Sequence, residues 1–557
     1  MSPRGDDSGT SELRFLPLGG AGEIGMNLNL YGYRGKWLIV DCGITFGDDT
    51  TPGIEVIMPD PAWIAERRRD LVGIVATHAH EDHIGAIPYL WPELACPVYA
   101  TPFTAALLKR KLAEVDLLRR VSLIEIPVEG RFSVGPFDIE LIRLTHSIPE
   151  PMALAIRTSA GTVLHTGDWK LDPEPLIGKI ADEPALRALG EEGVLALVGD
   201  STNVFRPGES GSEAEVRADL MRLVGGYKRR VAVACFASNV ARLETLARVA
   251  EAHGRHAALV GRSLWRIYDA ARETGYLTDI PPFVTEHDAG FLPNDKVLLI
   301  CTGSQGEPRS ALARIAGGGH PHVVLEAGDV AIFSSRIIPG NERAIGRLQN
   351  QLSRLGVEIV TERDEAGVHV SGHPNRDELV RMYQWVRPQI AIPVHGEMRH
   401  LIEHAKLAGE CQVPQSIVVE NGAMIRLAPG PAGIVEEVAT GRLALDGTRL
   451  VPLEGQAVRS RRRLMRNGAA VMTLLLSRDG KLRGDPVVTF QGVIEEAGEA
   501  EMSALAADVA RDTVAGLSGA ARRDDDLVRE AVRVALRRCL HDHLGKKPQT
   551  DIHLMRV

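Results

Sequence analysis

The chain has no apolar stretch approaching the roughly 20 residues that a membrane-spanning helix needs, and its first ten residues, MSPRGDDSGT, are polar with no hydrophobic segment of the kind a secretory leader carries. Both absences lead to the expectation of a cytoplasmic protein without membrane association. It has no CxxC pair: Cys42, Cys96, Cys235, Cys301, Cys411 and Cys539 are scattered, which argues against a disulfide framework or a thiolate zinc ribbon and leaves buried thiols. It has no basic excess, the net charge being -9, so it is not built to coat itself nonspecifically in nucleic acid. A nuclease remains open, because a metal-lined cleft supplies positive charge locally while an acidic exterior repels polyanions elsewhere. What is left is an ordinary soluble composition, 44% hydrophobic and 25% charged over 557 residues, long enough for about three or four domains.

The densest chemistry lies at His78, Ala79, His80, Glu81, Asp82 and His83. The preceding 71–77 (LVGIVAT) reads as a short buried strand and the following 84–90 (IGAIPYL) has helical spacing. The cluster therefore occupies a strand-to-helix turn, where side chains converge, and its imidazoles and carboxylates are ligands that zinc or manganese accepts. A solvated histidine-rich loop would explain one HxH pair better than it explains three histidines and Asp82 at this junction.

Glycines 20, 22 and 25 form a formal GxGxxG. The dinucleotide reading fails on context, since 26–33 (MNLNLYGY) alternates like a strand where a helix should follow; a glycine-rich hairpin in a β-meander is expected. Further on, 137–144 leads into His146, 161–166 into Asp168 and 194–198 into Asp200, and carboxyl ends of strands are where layered α/β folds collect a site. After 207–209 the pattern becomes βαβ, with 230–237 before the helical 240–253 and 257–260 before 263–274, the order of a separate parallel-sheet domain. Ser238 and Asn239 stand at a helix start, where they serve either as caps or as a phosphate seat. Two more imidazoles, His369 and His373, flank Val370, Ser371 and Gly372, and the strand-like 389–394 ends at His395. Residues 430–466 show little periodicity and carry the basic run Arg459, Arg461, Arg462, Arg463 and Arg466, which reads as a linker. The tail reads as two strands, two amphipathic helices and a last strand, an α+β module.

The candidate metal ligands are thus His78, His80, Asp82, His83, His146, Asp168 and His395. Seven ligands suit two metals about 3.5–4 Å apart with one carboxylate bridging. Three other histidine groups are set aside: the literal HxxEH of His400 to His404, a peptidase signature for which the chain already has a fuller ligand set; His541 and His543 at a helix end, where imidazole meets the negative dipole; and His165 inside a strand, a core residue.

THxHxDHIGxxP, the later single histidine, the strand ending TGD and the final PVHGE resemble the metallo-β-lactamase superfamily, and Asp200 in GDSTN, His369 in HVSGH and His395 match the motifs of its β-CASP branch. More narrowly, LGGAGEIGMN, CTGSQGEP, SRIIPGNE, HVSGH and PVHGEMRHLIEHAKLA resemble the bacterial ribonuclease J family from about Leu13 to the C terminus. The resemblance implies an α/β architecture: a metallo-β-lactamase αββα sandwich from 1–208 and 372–430, an inserted β-CASP domain over 209–371, a linker over 431–466 and an α+β oligomerisation domain over 467–557.

It also implies His78, His80 and His146 on one divalent metal, Asp82, His83 and His395 on the other, and Asp168 bridging, with zinc or manganese as the ion. His395 at the last position favours RNA over DNA substrates. The implied reaction is attack by a metal-activated water on a phosphodiester, leaving a 5′-phosphate. It proceeds 5′ to 3′ from 5′-monophosphorylated RNA and also internally, in RNA maturation and mRNA decay. Asp82, His395, Asp200 and His369 are the implied catalytic residues, His369 as a charge stabiliser or proton donor; Ser238, Asn239 and His369, Val370, Ser371, Gly372 and His373 are the implied substrate contacts. Asp41 and Asp200 are expected to orient the histidine loops. Some relatives hold a structural calcium at positions matching Gly53, Glu55 and Asp446, although glutamate at 55 alters the geometry. A homodimer or homotetramer and an RNA helicase or degradosome partner are further implications. The rival readings are a small-substrate metallo-hydrolase of lactonase or thioesterase type, against which the inserted domain and HVSGH count, and an inactive RNA-binding scaffold, against which the complete ligand set counts.

Overall fold

The structure is a computed structural model that describes residues 11–557. Two sheets lie face to face. One has eight strands, in the order Gly433–Glu437, Ala423–Ala428, Leu13–Gly19, Leu28–Tyr33, Lys36–Val40, Leu71–Val75, Val98–Ala100 and Leu123–Glu125. The other has seven: Arg131–Val134, Phe137–Arg143, Met152–Thr158, Gly161–His165, Ala196–Asp200, Ile390–Val394 and Gln415–Ser416. Phe15, Leu38, Val40 and Val75 from the first pack on Ile139, Leu154, Ile156, Val198 and Ile392 from the second. Strands buried on both faces read as continuous apolar runs, as ALVGD and IAIPV do. Helices Glu183–Glu192, Arg376–Val386 and Met398–Glu410 cover the outer face of the seven-stranded sheet through Leu186, Leu189, Trp385 and Leu407. Helix Pro102–Glu114 lies on the edge strands of the other. This is the αββα sandwich expected.

The β-meander is also present: Leu28–Tyr33 pairs antiparallel with both Leu13–Gly19 and Lys36–Val40. The glycine-rich turn before it forms the two-residue strand Ala21–Gly22, which runs parallel to Gly396–Glu397. Between the two parts of the sandwich, a five-stranded parallel sheet has the order His256–Val260, Val297–Cys301, Val231–Ala234, Val330–Phe333 and Glu358–Val360, with its own apolar core.

The described residues divide into two compact units, one of 11–45 and 58–441, the other of 46–57 and 442–557. The expected linker over 431–466 is therefore a correction. Gly433–Glu437 pairs with Ala423–Ala428 at a sheet edge, Arg442–Asp446 and Arg449–Pro452 form a hairpin, and Gln456–Asn467 is a helix. These elements bury so little that no periodicity shows: in the helix only Val458 is buried. In the second unit Ala469–Leu476 is the central strand, antiparallel to Val487–Gln491 and parallel to Gln549–Arg556. Its alternate residues Ala470, Met472, Leu474 and Leu476 meet Val528, Val532, Leu536 and Leu540 of helix Asp525–Leu544. On that helix Val528 and Val532 turn inward, whereas Leu527 and Val534 stay exposed.

Leu536 is fully buried in this small core. Leu536→Ala is expected to lower unfolding free energy by about 2–5 kcal/mol, read by urea denaturation of the second unit's transition; a loss below about 1 kcal/mol would contradict the packing described.

Candidate metal centre

Strand Leu71–Val75 ends beneath the segment 77–83, and buried polar groups aim the histidines of this segment and His395. Asp41, fully buried and held at φ +64, accepts hydrogen bonds from Thr77 N at 2.8 Å and Thr77 Oγ1 at 2.9 Å and lies 2.7 Å from His83 Nδ1. This leaves His83 Nε2 to face the centre. The glycine-rich segment holds His395, whose backbone N donates to Gly20 O at 2.6 Å and whose φ is +52. Asn27, just after that segment, lies 3.0 Å from His395 Nδ1 and donates its amide to Asp82 O at 3.0 Å. The approach is tight enough to require glycine at two positions. A Cβ on Gly43 would stand 1.7 Å from Asp82 O, and one on Gly20, at φ +89, would stand 2.3 Å from Asn27 Oδ1.

Around these anchors the donors form two sets that share Asp168: His78, His80, His146 and Asp168, and Asp82, His83, Asp168 and His395, each with donor atoms within 4.8 Å of one another. In the first set His80 Nδ1 lies 3.1 Å from His78 Nε2 and 3.0 Å from His146 Nε2. His146 Nδ1 faces the Gly372 carbonyl, which fixes the proton there and turns the Nε2 lone pair inward. In the second set Asp168 Oδ2 lies 3.2 Å from His83 Nε2 and 3.5 Å from His395 Nε2, with Asp82 Oδ2 at 3.6 and 3.7 Å from the same two atoms. Asp168 Oδ1 is buried without a hydrogen-bond partner.

The electrostatics suit cations. Burial pushes His78 and His146 well below the usual imidazole range and His80 down to about 4, so these rings are neutral and present lone pairs. Burial also opposes charge on His83, but Asp168, Asp82 and Asp41 outweigh it and hold its pKa well above the usual value. Burial would raise Asp168, yet His395, His83 and His373 hold it well below the usual carboxylate range. Converging imidazole lone pairs, an unpartnered carboxylate oxygen and a shared carboxylate between two donor sets fit two divalent ions.

His373 joins a third grouping with Asp168, Asp200 and His395. Its Nδ1 is 2.8 Å from Asp200 Oδ2; burial disfavours its charge, but Asp200 and Asp168 lift its pKa to about 9. His369 differs. Burial, then Arg242, Arg336, Lys170 and Arg206, keep it well below the usual range, and its Nδ1 has no partner. It is a neutral ring among cationic side chains, of which Arg242 pairs with Glu213 and Lys170 with Asp172. Ser371 Oγ accepts from Asn203 Nδ2 at 2.8 Å, and Val370 lies beside Gly211.

Asn239 caps helix Val240–Ala252, its Oδ1 accepting from Arg242 N at 2.9 Å, while its Nδ2 donates to Glu213 Oε1 at 3.1 Å. Of the two uses open for it, the cap is the one its contacts display; Ser238 beside it is half-buried, and neither belongs to a donor set. His404 is buried between Ser201 Oγ and Tyr383 OH, each at 2.9 Å, and His400 packs against Phe205, so the HxxEH is a packing feature. His165 bonds Tyr31 OH at 2.9 Å in the core, and His541 is exposed at a helix end. The calcium reading does not fit the residues present. Asp446 Oδ2 accepts from Arg461 Nη2 at 2.6 Å, and Arg461 Nη1 is 3.7 Å from where a Cβ on Gly53 would stand, so a fixed guanidinium already meets the carboxylate.

Family models match along the chain in order: the metallo-beta-lactamase superfamily over 27–209, the ribonuclease J beta-CASP domain over 228–352, the Zn-dependent metallo-hydrolase RNA specificity domain over 365–414 and the ribonuclease J C-terminal domain over 456–557. Ribonuclease J of Sinorhizobium meliloti is 46% identical over 98% of both chains. The chain belongs to the ribonuclease J family. Ribonuclease J of Mycolicibacterium smegmatis is 41% identical over 90% of this chain and 91% of that one, and that of Thermus thermophilus 35% identical over 96% and 94%. A crystal structure of a protein of unknown function from Enterococcus faecalis V583 shares the fold, with a TM-score of 0.51 at 17% identity over 74% of this chain and all of that one. With the donor sets in place, the chain is a metal-dependent ribonuclease of this family.

Asn27 and Thr77 carry no assigned role in the sequence reading, although they stand inside LGGAGEIGMN and THxHxDHIGxxP. Because Asp41 orients His83 and Thr77 together, Asp41→Asn is expected to cost about 10–100-fold in metal affinity or cleavage rate, measured by metal titration and an RNA cleavage assay. Unchanged values for both would remove Asp41 from this role.

Proposed function

We propose that the chain degrades RNA 5′ to 3′ from a 5′-monophosphorylated end, cuts internally as well, and leaves 5′-phosphates, with zinc or manganese as its two ions. The observation that carries this is Asp168 shared by two complete donor sets with His395 among them. When bound, such a pair of ions lowers the pKa of a water and neutralises charge on the attacked phosphoryl oxygen. The chain's own part is positional: Asp41 holds His83, Gly372 O holds His146, Asn27 holds His395 and Asp200 holds His373. Asp82 and His395 act as ligands at the reacting phosphate, Asp200 and His373 form its far wall, and neutral His369 with residues 370–372 lies beside the phosphate path. Ser238 contacts substrate from the inserted domain, while Asn239 acts there through its helix cap.

A small ester needs neither the five-stranded inserted domain nor the cationic side chains around His369, and a binding-only scaffold needs no complete donor sets. No helix among the described residues is long and apolar enough to cross a membrane; a cytoplasmic enzyme of RNA maturation and mRNA decay, working with an RNA helicase or degradosome, is the setting this reading implies.

Purified protein supplied with Zn or Mn is expected to shorten 5′-monophosphorylated RNA faster than 5′-triphosphate or 5′-hydroxyl RNA and to release 5′-phosphorylated nucleotides. Asp82→Ala is expected to reduce cleavage to background with an unchanged melting temperature. Retained cleavage by Asp82→Ala in metal-replete buffer sinks the assignment. The exposed Leu527 and Val534 of the C-terminal helix support self-association, so light scattering of the full chain is expected to give at least twice the 60.4 kDa monomer mass; a monomer mass at micromolar concentration would count against it.

A further inference from the structure

The basic run at 459–466 is used by neither the metal centre nor its walls. In the structure it forms helix Gln456–Asn467, which carries five arginines and no acidic residue in a chain of net charge -9. Its arginines divide into two kinds. Arg461 is bound to Asp446 at 2.6 Å; Arg462 donates to Thr50 O at 2.8 Å and pairs with Glu454 at 3.2 Å. Both are thereby committed to the fold.

Arg459, Arg463 and Arg466 are exposed, and among the described residues no carboxylate pairs with any of them. Their spacing of four and then three residues sets them along one side of the helix, over about 10 Å of its axis. Beyond the helix end, the backbone N of the exposed Lys547 donates to Asn467 Oδ1 at 3.4 Å.

Three unneutralised arginines along one side of the helix, on a protein otherwise rich in acid, incur mutual repulsion that a polyanion relieves. Guanidinium forks bind phosphate oxygens in pairs, and a flexible single strand can bring successive phosphates to successive arginines. We propose that helix Gln456–Asn467 is a second RNA-binding site, distinct from the metal centre, that holds the backbone of single-stranded substrate through Arg459, Arg463 and Arg466. The proposal rests on the ribonuclease reading for the identity of the polyanion.

The test compares the full chain with the triple variant Arg459→Gln, Arg463→Gln, Arg466→Gln. All three positions are exposed, and an unchanged melting temperature confirms folding. On a long 5′-monophosphorylated single-stranded RNA, KM is expected to rise about tenfold, and the slope of log affinity against log salt to fall by about 2, three contacts each contributing about 0.7. On a 5′-monophosphorylated tetranucleotide, which has too few phosphates to occupy the metal centre and three arginines together, kcat and KM are expected to stay the same. The same comparison in an Asp82→Ala background, reading fluorescence anisotropy of the long RNA, reports binding without cleavage. It therefore separates failure of this site from failure of the ribonuclease reading, in which the unaltered chain cleaves neither RNA. Three outcomes overturn the proposal: an unchanged salt slope with unchanged long-RNA affinity, an equal loss on the tetranucleotide, or a change in light-scattering mass with long-RNA binding intact, which would assign the row to contacts between copies of the chain.

Discussion

The burial of one carboxylate governs the metal centre. Asp168 is 3% exposed and shared by both donor sets, and an ion so removed from water must be met by positive charge or neutralised. His83, His395 and His373 stand around its Oδ2, but its Oδ1 is left without a protein partner. The donor sets are arranged about this oxygen pair, and the remaining geometry serves to keep the imidazoles pointing at it. Two of the supporting positions, Asp41 and His395, hold positive φ, a conformation that persists only where surrounding contacts determine it.

Those contacts come from far apart in the chain. The segment 77–83 follows a strand of the eight-stranded sheet, whereas Asp168, Asp200 and His395 lie at or just past the ends of three adjacent strands of the seven-stranded one, Gly161–His165, Ala196–Asp200 and Ile390–Val394. Parallel pairing brings the ends of these three to the same edge. The inserted domain is tied to the same place by a buried cation: Arg242, fully buried, pairs with Glu213 and donates from Nη1 to Ser334 O at 3.0 Å and Val368 O at 3.1 Å. Val368 immediately precedes the loop whose Gly372 carbonyl holds His146. A buried pair of this sort gives modest net stability, but losing one partner leaves the other charge stranded, which suits it to fixing the position of a loop.

Charge is distributed to match. The surface is acidic overall, while Arg206, Arg242, Arg336 and Lys170 crowd His369 near the reacting centre, and a row of arginines stands unpaired on the helix of the second unit. An acidic exterior with local cationic tracks confines a polyanion to those tracks.

The candidate metal donors were legible in the sequence because their chemistry is local. Histidine and aspartate within one turn after a buried strand leave few other uses, and the apolar runs ending at Asp168, Asp200 and His395 marked strand ends directly. The glycine-rich segment was legible as a hairpin because alternation followed it. Other residues acquire their roles only from distant neighbours. Asn239 caps its own helix, but its amide is taken by Glu213, 26 residues away; the Asp446 carboxylate is taken by Arg461, 15 residues on; His404 is made structural by Ser201 and Tyr383. The supposed linker hid a hairpin and a helix because edge strands and a helix anchored by Val458 alone bury too few side chains to leave a periodic signal. By itself the sequence determined which atoms can bind metal. Tertiary structure decided which of them converge and which cations are already spent on carboxylates, because both depend on pairings between segments that local composition does not encode.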